Sequence, residues 1–254
     1  MSAAFLALWN DYPATLTEEY EVWHTFEHVP ERLTTPGMLW ARRYADFSKP
    51  DNRYFTLYAL DNLEVLEQPA YLELVRQPTD WSLSMRQHFR NVLRIPGISF
   101  THGGNGVGGG LIAQAYSVGR LQAPAASQTL AKVLEELTRS GRILGFRIVI
   151  AEPNQPYEVF EQADVTDPDT LNVIVMVEGT TKSALAATRG FVSEKAQRLL
   201  QPELTLRDGL FSLLVNYQGG EFASDRKSLT ASETLRSQFS RSPSSEELQI
   251  PAQG

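Results

Sequence analysis

The chain has 254 residues, 42 % of them apolar and 21 % charged, with a net charge of −7. That is enough for one large domain or two small ones, each with its own core. The acidic balance argues against a nucleic-acid-binding surface. With no cysteine, disulfides, thiolate catalysis and cysteine-held metals are excluded, and a cytoplasmic location fits. No stretch approaches the roughly 20 apolar residues of a membrane span. The opening MSAAFLALWN lacks a positive flank and a cleavage site, so it reads as a strand and not a leader.

Residues 3–9 form an apolar run of strand length. A helix is expected from Thr15, with Glu18 in capping-box position, ending near His28 because Pro30 disfavours helical geometry at Val29. Strands are expected at 38–47 and 53–60, joined by a polar turn. Short helical turns follow over 63–77, interrupted at Pro69. A helix capped by Thr79 covers 80–91, and a strand covers 92–102. The order then repeats: strand 111–118, helix 127–140 with Gly141 as its C-cap, strands 143–151 and 171–178, helix 182–200, and a long strand 204–217.

Each half reads β-α-β-β-α-β, the ferredoxin-like order. Such a sheet carries helices on one face and needs a cover for the other, which a second sheet provides. Residues 1–102 form the first unit, with the candidate site. Residues 103–110 are a glycine-rich linker, 111–218 a mainly structural second unit, and 219–254 a polar, flexible tail. A short helix over 232–239 that docks on the body is the alternative for the tail. All four histidines (His24, His28, His88, His102) and all four tryptophans (Trp9, Trp23, Trp40, Trp81) lie in the first unit.

The densest chemistry is Trp23-His24-Thr25-Phe26-Glu27-His28-Val29-Pro30-Glu31-Arg32-Leu33, followed by Pro36-Gly37 and a strand. An aromatic residue, then Glu-His-x-Pro, then Pro-Gly before a strand resembles the EthD-like branch of the dimeric α/β-barrel superfamily. The resemblance covers most of the first unit by motif order and the second by topology alone. It implies an α+β fold of two tandem ferredoxin-like units packed sheet to sheet as an intrachain pseudo-dimeric α/β barrel. It also implies a pocket between sheet and helices for small hydrophobic or aromatic ligands, often without a cofactor. Relatives include monooxygenases, isomerases and dehydratases. His28 matches the motif histidine; the second unit has no equivalent.

On physical grounds His28 suits acid/base work, with Glu27 beside it, and the helix C-terminus favours its protonated form. The competing reading is a solvent-facing capping histidine. A helical wheel places Val22, Phe26, Val29 and Leu33, with Trp23 and Leu16, on the apolar arc and turns His24 and His28 away from it. His24-Thr25-Phe26-Glu27-His28 also matches a weak zinc pattern, without an evident third ligand. Trp40, Arg42 and Tyr44 share one strand face; Tyr54, Thr56 and Tyr58 share another. Tyr44 and Tyr54 are candidates for holding a planar ligand, as are Trp23, His24 and Trp81, and Arg42 for binding its anionic group. For each, core packing or a surface ion pair is the plain alternative. The glycine run lacks a P-loop Lys-Ser/Thr and a following helix, so it reads as a linker and not a phosphate site.

Two functions fit. The first is a cofactor-independent enzyme of isomerase, dehydratase or lyase type, acting on a small hydrophobic, aromatic or carbonyl metabolite. In it His28 and Glu27 are catalytic, and no metal is used. Cofactor-free oxygenation is a less favoured variant. The second is a non-catalytic small-molecule-binding protein on the same scaffold. Either works as a monomer or homodimer.

Overall fold

Eight antiparallel strands close into one barrel in this computed structural model. It describes residues 4–49, 53–154, 156–160, 162, 166–222 and 233–239. The strands are β1 (Ala4–Asp11), β2 (Met38–Ala45), β3 (Tyr54–Leu60), β4 (Arg90–Gly104), β5 (Gly110–Gly119), β6 (Gly145–Ala151), β7 (Thr170–Gly179) and β8 (Leu204–Gln218). Around the barrel they run β1-β3-β2-β8-β5-β7-β6-β4. The first four therefore lie in the order fourth-first-third-second, and so do the last four. The two sheets do more than stack. Their edges hydrogen-bond to each other, β2 to β8 and β4 to β6, and that pairing closes the barrel.

Strand alternation separates an inner from an outer core. Phe5, Ala7 and Trp9 of β1 point into the barrel with Tyr44, Phe55, Leu57 and Phe211. Leu6 of β1 and Tyr58 of β3 face outward, beneath helices of the first half. Over the second half lie α5 (Ala123–Arg139) and α6 (Lys182–Leu200). Leu130, Ala131, Leu134 and Leu137 form the buried stripe of α5 at helical spacing. Thr181 Oγ1 caps α6 by accepting from the Ala184 N–H at 3.1 Å.

The first half is covered by shorter pieces: α1 (Thr17–Trp23), α2 (Val29–Leu33), α3 (Pro69–Arg76) and α4 (Asp80–Arg86). The expected capping box at Thr15 does not form. Residues 14–16 make a 3₁₀ turn, and Leu16 precedes α1 without a side-chain cap. Thr79 does cap α4, accepting from the Ser82 N–H at 3.1 Å. Nor does the helix end at His28. His24–His28 is a π-helical turn that joins α1 to α2, and helical geometry continues to Leu33. The Val29 N–H reaches back five residues to the His24 carbonyl. A wider turn relieves the clash between the Pro30 ring and the preceding turn, so proline is carried through.

Residues 103, 104 and 110, expected in a linker, belong to strands β4 and β5. Within the described part of the tail lies α7 (Glu233–Ser237), and Leu235 and Phe239 pack against the body. Residues 223–232 and 240–254 of the tail lie outside the described residues. No described helix is long and apolar enough to cross a membrane.

Candidate functional site

The π turn decides what the first helix buries. An extra residue per turn rotates the helix face, and the wheel based on 3.6 residues fails there. Phe26, expected in the apolar arc, is 56 % exposed. His24 and His28, expected to turn away, are buried, and so is Glu27. The His24 ring stacks between Tyr20 at 5.0 Å and His28 at 4.9 Å. Trp23 packs on His28 at 4.5 Å and donates from Nε1 to Ser82 Oγ at 3.1 Å.

His28 lines a small cavity between the outer face of the sheet and the helices. Leu6 and Leu8 of β1, Tyr58 of β3 and Arg94 of β4 form its floor. Arg32 of α2, Tyr71 of α3 and Arg86 of α4 form its walls. Tyr157 and Phe160, on the connection between β6 and β7, reach across from the second half and close it. The cavity measures about 30 Å³, the share of one water molecule. Beyond Tyr71, Arg94 and Tyr157 lies a cleft of about 300 Å³ with mainly apolar walls, including Leu63, Leu66, Leu72 and Val75.

Among the described residues no carboxylate lines the inner cavity, while three guanidiniums do. Arg86 is tied down by donating to the Val75 and Leu74 carbonyls at 2.6 and 2.7 Å. Burial and repulsion from Arg32 lower it to about 10, against a weaker attraction from Glu31. Arg94 donates to Tyr71 Oη at 3.4 Å and lies 4.4 Å from the Tyr157 ring centre. Arg32 Nη1 and His28 Nδ1 are buried without a hydrogen-bond partner among the described residues. Buried polar atoms of this kind are uncommon and mark ligand-facing positions when they converge.

The electrostatics make His28 a neutral imidazole. Burial first, then the charges of Arg32 and its neighbours, hold it well below the ordinary histidine value. Burial, Arg43 and Arg32 do the same to His24. The helix-end argument for a protonated His28 is therefore corrected: the helix does not end there, and desolvation dominates. Tyr71 goes the other way. Burial raises it, but Arg94, Arg32 and hydrogen bonds from Arg94 and Tyr157 together bring it below the ordinary tyrosine value. Its partner Tyr157 is pushed up to about 12 by burial and by Tyr71.

No protein-family model matches this sequence, and no curated protein matches it. Solved structures match its fold. An anthrone oxidase-like protein superposes with a TM-score of 0.64 at 10 % identity, over 88 % of this chain and 96 % of that one. A candidate monooxygenase from Fusobacterium nucleatum subsp. nucleatum gives a TM-score of 0.53 at 6 % identity, over 85 % and 94 % of the two chains. This chain has the dimeric α/β-barrel fold. At such identities the likeness concerns the fold alone.

Among the residues singled out from the sequence, His28 lines the cavity and Trp23 and His24 back it. Glu27 turns to other partners. Its Oε1 accepts from the Thr79 hydroxyl and, at 3.4 Å, from Ser82; its Oε2 pairs with Arg236 of α7 at 2.9 Å. That geometry also separates Glu27 from the imidazoles of the zinc pattern, and among the described residues no group of three ligating side chains assembles. Tyr54 packs on Tyr20 at 4.5 Å, within the core under α1. Trp81 donates to Glu19 Oε1 at 3.0 Å and stacks on Phe239 at 6.3 Å. Arg42 and Tyr44 point into the barrel, on the opposite side of the sheet from His28. Arg43, not a candidate, is the one beneath the helices. It is 1 % exposed and bonds Thr25 Oγ1 and Glu21 Oε2.

Arg32, Tyr58, Tyr71, Arg86, Arg94 and Tyr157 complete the cavity, and of these only Tyr58 had been considered. Arg32 had a usable signal: it follows His28 by four residues, one helical turn on. The others come from separate elements, and no local spacing links them to His28.

Proposed function

We propose that the His28 cavity and the adjoining cleft bind a small hydrophobic enolisable ketone or phenol, and that His28 removes its acidic proton without a cofactor. The observation that carries this reading is the cluster of three guanidiniums around a neutral imidazole, with no lining carboxylate among the described residues. A neutral imidazole accepts a proton; a cationic surround stabilises the enolate or phenolate left behind. Tyr71, brought toward its anion by Arg94 and Arg32, is placed to relay a proton at the ligand oxygen. The apolar cleft would hold the ligand's body, and displacement of Tyr157 would join it to the inner cavity. Glu27 then acts through the packing of the π turn and not on the ligand. Deprotonation is the first step of isomerisation and elimination. It also opens reaction with dioxygen; the structural neighbours are named an anthrone oxidase-like protein and a candidate monooxygenase.

The EthD-like motif and the repeated strand order support descent from a duplicated ferredoxin-like unit, with the second half serving as an internal partner. One observation favours the non-catalytic reading: the cavity beside His28 is closed to about 30 Å³.

Deuterium exchange from solvent into anthrone and related aryl ketones, followed by NMR, tests the proposal. Exchange that falls by about 10²- to 10⁴-fold in His28→Gln supports it. Exchange at equal rates in the folded variant, or none with the native protein, leaves the binding protein as the better account.

A further inference from the structure

The first cavity lies outside the barrel; a second one lies at its mouth, and the proposed chemistry does not use it. It measures about 240 Å³, the share of roughly eight waters at about 30 Å³ each. We propose that this cavity is a ligand site for a small planar monocarboxylate.

Charge is the first argument. Arg42 and Arg147 both line the cavity, with Glu178 as the one lining carboxylate. Glu178 is fully engaged. Its Oε1 pairs with Arg42 at 2.9 Å, and its Oε2 accepts from the Gly108 N–H at 3.0 Å. Arg147 donates to Ser99 Oγ at 2.8 Å, lies 4.6 Å from the Phe5 ring centre, and forms no ion pair among the described residues. Two guanidiniums against one carboxylate leave a single positive charge in a half-enclosed space. A carboxylate balances it and matches the guanidinium fork. Burial and the nearby Arg42 already depress Arg147, which an added anion would relieve.

Shape is the second argument. Trp40 and Phe146 provide aromatic walls, and the Arg42 guanidinium lies 4.1 Å from the centre of the Trp40 ring. A planar ligand fits between such faces. The wall at 103–106 is the glycine run that the sequence reading left as a linker. Its glycines cannot carry side chains at the β4–β6 seam. A Cβ on Gly103 would lie 2.6 Å from Phe146 Cε1, and one on Gly145 would lie 2.7 Å from the Gly103 carbonyl oxygen. Gly104 has φ +81°, which excludes most other residues. The same run that lets the seam close thus keeps the mouth open.

The two cavities share no lining residue, so this inference stands apart from the proposed function. Calorimetric titration of the full chain with benzoate, and with benzamide as its uncharged counterpart, tests it. Saturable benzoate binding is expected, with benzamide weaker by about tenfold. Arg147→Gln should weaken benzoate by about tenfold, while Arg147→Lys recovers only part of that loss, since it keeps the charge but not the fork, and Arg94→Gln leaves the affinity unchanged. In NMR, benzoate should shift the Trp40 indole N–H of the native protein, a readout that needs no variant. Absence of saturable binding, equal affinity for benzamide, loss in Arg94→Gln alone, or shifts confined to Trp23 and Trp81 would each overturn the assignment.

Discussion

Arg236 Nη2 lies 2.9 Å from Glu27 Oε2, across 209 positions of sequence, and the Glu27 side chain is wholly buried. A segment near the end of the chain therefore supplies a counter-charge inside the first half. Phe239, three residues on, stacks against Trp81 beside it.

Arg236→Ala is expected to destabilise the fold by about 1–3 kcal/mol. Removing one partner of a fully buried pair costs roughly 3–5 kcal/mol. Arg236 is 30 % exposed, and Thr79 and Ser82 still donate to Glu27, so the loss is smaller. Urea denaturation checks the value. Glu27→Gln in the same chain should recover part of it, because the unpaired charge is then gone.

Stability should fall as pH drops below about 6.5. His24 and His28 are held below their ordinary value of 6.5 in the folded state. Below that pH the unfolded chain gains protons that the folded chain refuses, so acid favours unfolding. Each histidine contributes up to about 1.4 kcal/mol per pH unit over the interval between its unfolded and folded values. Denaturant midpoints measured from pH 7.5 downward would show the slope. A chain carrying His24→Gln and His28→Gln should lose it.

The π turn makes a prediction opposite to the helical wheel. Phe26→Ser, at an exposed position, should change stability by no more than about 0.5 kcal/mol. Trp23→Ala, at a fully buried position, should cost about 3–5 kcal/mol. Thermal or urea unfolding checks both values; Phe26→Ser is the variant that separates the registers, because Trp23 faces the core in either.

Arg94→Gln should raise the Tyr71 phenol toward or above its ordinary value. Arg94 is the largest of the influences that lower Tyr71, ahead of Arg32, and burial opposes both. Ultraviolet difference titration of the native protein should show a phenolate appearing below about pH 10. That component should move to higher pH in Arg94→Gln and vanish in Tyr71→Phe.

Strand and helix positions were largely readable because apolar runs and caps such as Thr79 act locally. The barrel's closure was less so. Edge pairing of β4 with β6 and of β2 with β8 depends on long-range register, which no single segment encodes. His28 was found through a short motif, and its burial was missed because a wheel of 3.6 residues per turn does not hold across the π turn at His24–His28. The arginines of the cavity were missed for a different reason. Arg32, Arg86 and Arg94 look like ordinary surface charges in an acidic chain until four elements converge on them. Choosing Arg42 over Arg43 rested on the correct alternation, but that alternation sends Arg42 into the barrel and Arg43 toward the helices.

Closure of the eight-stranded sheet has a consequence for encounters with other chains. Among the described residues every strand has two hydrogen-bonded neighbours, so none is an edge strand along its whole length. Strand addition by a foreign peptide, and stacking of copies into fibrils through sheet edges, are disfavoured by that closure while the fold holds. Self-association is then expected through side chains on the helical surfaces, where charge and shape, and not backbone register, select the partner.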